Sequence, residues 1–437
     1  MLDKLGGISL EPDSISWLLT PSRLKAELLE RIKNAQHSIT ITALYLEDDE
    51  AGRDILTALI DAKNQNPNLR VSVFVDFHRA RRGLIGHKGD SGNYLMYRKL
   101  VNQSDHPIEI YGVPVKSREF LGVLHLKGFI VDDAVIYSGA SLNNVYLHQA
   151  DRYRFDRYHL IQSKALAASM VQMVDKVLVN DPAVVSLCQP ENTEILPEKS
   201  VVRSFKKRLA CAKYDFEKVY SGLRVTPFVG LGRKKNQLNR AILAVIDQSK
   251  ESLFICTPYF NPPLSLLRAL LRHLRAGKQV DIVVGDKTAN DFFIPVDQPF
   301  STIGAVPYLY EQSLRKFLKR QQWAIDKGLL NIHIWKHDKN SFHLKGISAD
   351  NKRHVITGSN LNPRAWSLDF ENGLLINDDE GLLQQQFEDE QVYILEHTHR
   401  LFHYSQIETI HSYPTPVKKL MARLHRVKAD FLVKRIL

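Results

Sequence analysis

At 437 residues, 44% hydrophobic and 24% charged, the chain has material for two or three cores and the balance of a globular protein, not of a disordered or fibrous one. No apolar run approaches the roughly 18 residues of a membrane-spanning helix, and the start, MLDKLGGISLEPDSISW, lacks the basic-then-apolar order of a signal peptide, so a non-integral protein is expected. Cys188, Cys211 and Cys256 are too widely spaced for a disulfide framework or structural zinc site and fit a reducing compartment, while a net charge of +11 favours anionic partners: nucleic acid, anionic lipid or a phosphorylated substrate.

The first predicted element is a helix over 23–36, where Leu24, Leu28 and Ile32 recur at helical spacing behind Ser22 as candidate N-cap. A strand over 38–46, a helix over 51–64 and a strand over 71–77 follow. Next come a basic loop with His78, Arg79, Arg81, Arg82, Gly83, Gly86, His87 and Lys88, and a strand over 107–114. The order then returns: helix 236–251, strand 252–260 with Tyr259 against Tyr45, helix 264–278, strand and loop 280–291, strand 331–337. RFDRYHLI (154–161) aligns with DFENGLLI (369–376), setting Asp156 opposite Glu371. The repeat thus spans about 23–161 and 236–376, and strands alternating with helices predict two α/β halves packed face to face, with a site at their interface. The expected division is 1–161, 162–220 with helices at 165–178 and 203–220, 221–376, and a helical segment 377–437.

Within that last segment, 382–404 reads as helical and 414–437 as a basic amphipathic helix. Its apolar stripe is Val417, Leu420, Met421, Leu424, Val427, Phe431 and Leu432, and seven Lys and Arg face a single acid, Asp430. Binding to an anionic bilayer surface is the preferred reading over docking on the core. Phe292, Phe293 and Ile294, halted by Pro295, are a second candidate for lipid contact or for a core plug.

The chemistry sits in HLKGFIVDDAVIYSGASLN (125–143) and HLKGISADNKRHVITGSNLN (343–362). Each holds H-x-K-x4-D: His125, Lys127, Asp132 and His343, Lys345, Asp350. In extended chain, residues i and i+2 share a face, so each His and Lys point into one pocket, and each Asp is a candidate either to orient a His from behind or to make a structural salt bridge. A glycine turn follows (Gly139, Ser141, Asn143; Gly358, Ser359, Asn362) and returns amide and hydroxyl groups to the same place. An imidazole, an ammonium and such donors suit a phosphoryl group. Histidine serves as nucleophile or as proton carrier, so two of them across a pseudo-twofold axis can divide attack from proton transfer, with Lys127, Lys345, Asn143 and Asn362 on the non-bridging oxygens. This chemistry needs no metal or cofactor, and no metal-ligand cluster is apparent. Asp156 and Glu371 are the alternative partners for the imidazole Nδ1.

These paired motifs resemble those of the phospholipase D superfamily. The resemblance implies a covalent phosphohistidine, favours the downstream acids Asp156 and Glu371 as the orienting pair, and leans to His125 as nucleophile. Ala140 stands where the superfamily's serine is usual, displacing Ser141 by one. ALYLEDDEAGRDIL (43–56), VDFHRARRGLIG (75–86), CTPYFN (256–261), VGDKTANDFFIP (284–295) and GSNLNPRAWSLDFENG (358–373) are similar to the bacterial phospholipase D-type CDP-diacylglycerol–serine O-phosphatidyltransferases. That resemblance implies transfer from CDP-diacylglycerol to L-serine by a cytoplasmic enzyme peripheral to the inner face of the membrane, with anionic lipid as its surface partner and no specific nucleic acid. The pyrophosphate and cytidine then require basic and aromatic groups, for which Arg79, Arg81, Arg82, Lys287, Tyr45 and Tyr259 are candidates beside Ser141 and Ser359. Arg364 with Glu47 or Asp48 is the candidate grip on serine. Lipid hydrolysis, nucleic-acid cleavage and cardiolipin synthesis are the alternatives, though a cardiolipin synthase is expected to carry N-terminal spanning helices.

Overall fold

The computed structural model describes residues 5–82, 92–189 and 197–426; Gly83, Gly86, His87 and Lys88 of the basic loop and the tail from Val427 onward lie outside them. The first helix is Pro21–Asn34, capped by Thr20, whose side chain accepts from Arg23 N at 3.2 Å. Ser22, the expected cap, lies two positions past it in the first turn, because Pro21 takes the first helical position, where a missing N–H costs nothing. Leu24, Leu28 and Ile32 are fully buried on its inner face, each stabilising by about 1.5–3 kcal/mol relative to exposure.

Two sheets carry the repeat. In the first, Glu109–Val113, Arg70–Asp76 and Ser38–Thr42 run parallel, and Gly128–Val131, Ala134–Ser138 and Tyr158–Gln162 continue antiparallel. The second has the same order: Leu330–Trp335, Gln279–Gly285 and Ser252–Thr257 parallel, then Gly346–Ala349, Arg353–Thr357 and Phe370–Asn377 antiparallel. Arg224–Leu231 extends the second sheet, and Ile8–Ser9 from the start of the chain pairs onto it. Each sheet has its own core against its outer helices. A third core lies between the sheets, where Phe74, Leu126, Ile130 and Tyr137 meet Val229, Ile356, Phe370 and Leu374. The helices Lys164–Val177 and Lys199–Leu209 add Leu166, Met170 and Phe205 to it.

Three expected helices differ. The second linker helix ends at Leu209, short of 220, and the chain beyond it runs irregularly to bring Tyr214 Oη within 3.1 Å of Asn372 Nδ2. The segment 382–404 splits into a helix, Gln384–Leu395, and an edge strand, Thr398–Leu401, paired with Leu330–Trp335. The tail helix Thr415–Arg426 buries Val417 and Met421 against Tyr308 and Leu309, so its described part docks on the body through the face expected to meet lipid. Tyr308 and Leu309 belong to Val306–Asp326, a helix in a stretch to which the sequence reading assigns no element.

Candidate active site

Two short parallel pairings build the site, each between the halves. Leu124–His125 pairs with Phe370–Glu371, setting His125 beside Glu371 in register. Ser341–Phe342 pairs with Arg154–Phe155, and His343 N donates to Phe155 O at 2.8 Å. Each histidine is thereby delivered to the acid of the opposite half. His125 Nδ1 lies 2.8 Å from Glu371 Oε2, and His343 Nδ1 lies 3.2 Å from Asp156 Oδ2. All four side chains are buried.

The lysines follow two residues later on the same face, as the strand period requires. Lys127 Nζ donates to Ser141 Oγ and Ala140 O, both at 3.1 Å, and Lys345 Nζ donates to Asp156 Oδ2 at 2.8 Å and contacts His343 Nδ1. Both stems lie against the other half's glycine turn. A Cβ at Gly358 would stand 2.7 Å from Lys127 Cγ, and one at Gly139 would stand 2.7 Å from both Lys345 Nζ and Asp156 Oδ2. These two glycines are required by close approach, not by an unusual φ. Asn143 and Asn362 turn Oδ1 back to cap the backbone N–H of Tyr146 and Ala365, each at 2.9 Å, which fixes their amides at the ends of the turns. Ser359 N donates to Thr357 Oγ1 at 3.1 Å, as Ala140 N donates to Ser138 Oγ in the first half.

Asp132 and Asp350 do not reach the site, correcting the expectation that they orient histidine. Asp132, at a hairpin turn with φ 50, accepts from the backbone N–H of Gln36, His37 and Ser38. Asp350, with φ 55, accepts from those of Lys250, Glu251 and Ser252. They fasten the entry of each first strand, and Asp tolerates the left-handed turn better than most residues.

Burial governs the electrostatics. It drives the His343 pKa down to about 3, with Lys345 adding to the effect, and that of His125 well below 6.5, with Lys127 adding; both rings are neutral at working pH. Burial and the facing Lys345 lower Lys127 to about 7. The acids diverge. Burial raises Glu371 to about 8, while burial of Asp156 is overcome by Lys345 and His343, which hold it at about 2. Each lysine acts on both acids, so the two halves form one electrostatic cluster.

The expected substrate groups fall into two sets. Arg79 lies 4.5 Å over the Tyr45 ring and 3.6 Å from buried Glu47. Tyr259 stacks on Tyr310 at 4.9 Å and turns its edge to His343 at 6.4 Å between ring centres. Arg364 bonds Asp369 at 3.1 Å and Glu119 O at 3.0 Å, and it acts on His125 and Glu371. These border the motifs. By contrast, Lys287 is held between Glu311 at 2.9 Å and Glu408 at 2.8 Å. Arg82 is paired with Glu119 through two 2.6 Å bonds, Arg81 lies over Phe77, and Asp48 is tied to Arg53. Phe292 and Phe293 pack partly buried against Tyr310 and Tyr308, leaving Val296 as the strongly exposed apolar group of that loop.

The sequence reading missed Tyr146, whose hydroxyl lies 3.0 Å from His343 Nδ1. It also missed Arg154, which sits 4.3 Å over the Tyr146 ring and 2.7 Å from Asp291 of the other half. The signal available was the alignment itself: RFD against DFE puts Arg154 opposite Asp369, a charge reversal beside each acid.

Residues 28–177 and 242–391 match the family described as Cardiolipin synthase, PLD-like domain. Over its whole length the chain is 46% identical to the CDP-diacylglycerol--serine O-phosphatidyltransferase PssA of Escherichia coli (strain K12), covering 97% of that protein. It is 43% identical to the CDP-diacylglycerol--serine O-phosphatidyltransferase of Haemophilus influenzae, again over all of this chain and 97% of that protein. The crystal structure of phosphatidylserine synthase from Haemophilus influenzae Rd KW20 is similar with a TM-score of 0.96 at 42% identity, covering 100% of this chain and 98% of that one.

Proposed function

The chain belongs to the cardiolipin synthase, phospholipase D-like family, which both its halves match, and from that membership we propose that it transfers a phosphatidyl group from CDP-diacylglycerol to L-serine, giving phosphatidylserine and CMP. The observation that carries this reading is the full-length likeness to enzymes named for that reaction. Both His–Lys pairs and both acids are present to perform it.

In this mechanism Nε2 of His125 attacks the phosphorus that bears diacylglycerol. A P–N bond forms, and the P–O bond to the CMP phosphate breaks with its electron pair. In the attacking state Glu371 is ionised and accepts from the Nδ1–H of His125, which leaves Nε2 with a free lone pair. His343 is surrounded differently: Nδ1 meets the Lys345 ammonium and the Tyr146 hydroxyl as well as Asp156, which suits it to carry protons at Nε2. It assists the departing CMP, then takes the proton of the serine hydroxyl. The serine oxygen bonds to phosphorus, and the P–N bond breaks with its pair returning to His125. Lys127 and Lys345 neutralise the non-bridging oxygens, and the anionic phosphodiester restores the charge that burial opposes.

We place the chain peripherally on the cytoplasmic face of the membrane, on the strength of its net charge of +11 and exposed apolar groups. Among these, half-exposed Phe120 and Leu121 adjoin Glu119, whose carbonyl is held by Arg364. Among the described residues no helix is long and apolar enough to cross a membrane. The test combines the purified chain with CDP-diacylglycerol in mixed micelles and follows CMP with and without L-serine. Serine-dependent CMP, matched by phosphatidylserine, is expected; equal release without serine would refute transfer and favour a hydrolase.

A further inference from the structure

The two halves share their scaffold but differ around the imidazole Nδ1 atoms. Asn143 caps the turn that delivers Tyr146, and Asn362 caps the equivalent turn that delivers Ala365. Only the first turn therefore carries a hydroxyl, and it crosses the interface to His343: Tyr146 Oη is 3.0 Å from Nδ1, with the rings edge to face at 5.6 Å. Arg154 covers the far face of the tyrosine at 4.3 Å and is itself fixed by Asp291 at 2.7 Å. The phenol is buried, and burial keeps it protonated well above pH 10.

We propose that Tyr146 is a positioning residue for His343 that serves the serine-dependent half of the reaction. Three groups surround Nδ1. An ammonium such as Lys345 only donates, and a carboxylate such as Asp156 only accepts. The Tyr146 hydroxyl does either, so it anchors the ring whether Nδ1 is bare or protonated. The two half-reactions load His343 unequally. CMP departs as a phosphate monoester, whose second pKa is about 6, and needs little proton help. The serine hydroxyl is un-ionised near neutrality and cannot attack until its proton passes to Nε2. As that proton moves, the serine oxygen bonds to phosphorus and the P–N bond to His125 breaks with its electron pair. Loss of the anchor therefore slows the second half and spares the first.

This inference rests on the phosphatidyl-transfer reading, and rapid-quench CMP release tests both. Tyr146→Phe keeps the ring and the Arg154 contact and removes one oxygen. The expected result is a CMP burst of about one equivalent per site at near wild-type rate, followed by serine-dependent turnover at least about tenfold slower, with kcat/KM for CDP-diacylglycerol within about threefold of wild type and its KM falling with kcat. Phosphatidyl-enzyme accumulates in the variant, and normalising turnover to the burst counts only folded sites. A burst and turnover that fall by the same factor, an absent burst, or turnover equal to wild type would overturn the Tyr146 assignment while wild-type serine dependence stands. Serine-independent CMP release by the wild-type chain would instead sink the parent reading and the assignment with it.

Discussion

Asp156→Asn removes the one carboxylate that serves both His343 and Lys345, and it separates a stability effect from a catalytic one. The carboxyl titrates at about 2 in the folded chain against an ordinary 3.8. At about 1.4 kcal/mol per pH unit that difference contributes about 2 kcal/mol. Removing one partner of a buried pair costs about 3–5 kcal/mol when the other charge is stranded; burial lowers the Lys345 pKa, so once Asp156 is gone the ammonium sheds part of that cost by giving up its proton. The expected loss is therefore about 2–4 kcal/mol at pH 7, a Tm lower by on the order of 2–5 °C for a chain of this length. Because the group titrates lower folded than unfolded, its stabilisation is complete above about pH 4 and disappears as the pH falls through about 2. The gap between wild type and variant, measured by thermal melting, should accordingly narrow between pH 5 and pH 2.5. Serine-dependent CMP release, measured below the variant's Tm, should fall by about a hundred- to ten-thousandfold, the range of a misdirected acid–base histidine. A pH-independent stability gap, or activity within about tenfold of wild type, would refute the assignment of Asp156 as the partner of His343.

Three further outcomes follow from the geometry. Gly139→Ala drives a methyl to within 2.7 Å of Lys345 Nζ and Asp156 Oδ2 and should cost about a hundredfold in CMP release; Gly358→Ala meets only the flexible stem of Lys127 and should cost about tenfold in the same assay. Lys127 must be protonated to hold phosphate oxygens, so with its pKa at about 7 kcat/KM should fall as pH rises above 7, and Lys127→Arg, if active, should move that limb upward by more than about two pH units. Asp132→Ala should lower stability by about 1–3 kcal/mol through three unanswered backbone donors, read by thermal melting, while kcat stays within about twofold.

The repeat, the element order and the shared face of His and Lys were legible because each is local: period two in a strand, period 3.6 in a helix, and two copies of one motif. The orienting acids were recognisable as a pair, but their crossing was not. It depends on a two-residue parallel pairing between Leu124–His125 and Phe370–Glu371, across 246 positions, and no periodicity reports such a contact. Asp132 shows the opposite failure. A regular spacing tied it to the motif, yet that spacing carries it over the hairpin to the far end of the sheet. Lys287 looked like a loop cation because its neutralising partners, Glu311 and Glu408, come from Val306–Asp326 and from the segment beyond the last strand. The tail has the composition of a surface helix, but a face made of Val417 and Met421 meets Tyr308 as well as it would meet lipid, and composition does not choose between the two.

The surroundings of the two histidines differ at three places where the repeat is broken. Glu371 faces Asp156, so one imidazole has an acceptor of high proton affinity and the other a carboxylate already claimed by Lys345. Ala365 faces Tyr146, so only His343 gains a hydroxyl. Asp369 faces Arg154, so one acid lies beside an Arg364–Asp369 pair of its own half and the other beside an Arg154–Asp291 pair that spans the interface. Each substitution alters the groups around one Nδ1. Because every orienting acid comes from the opposite half, neither half alone holds a complete dyad. The scaffold therefore needs its symmetry to assemble the site, and in the proposed reaction the departures from symmetry give attack and proton transfer to different rings.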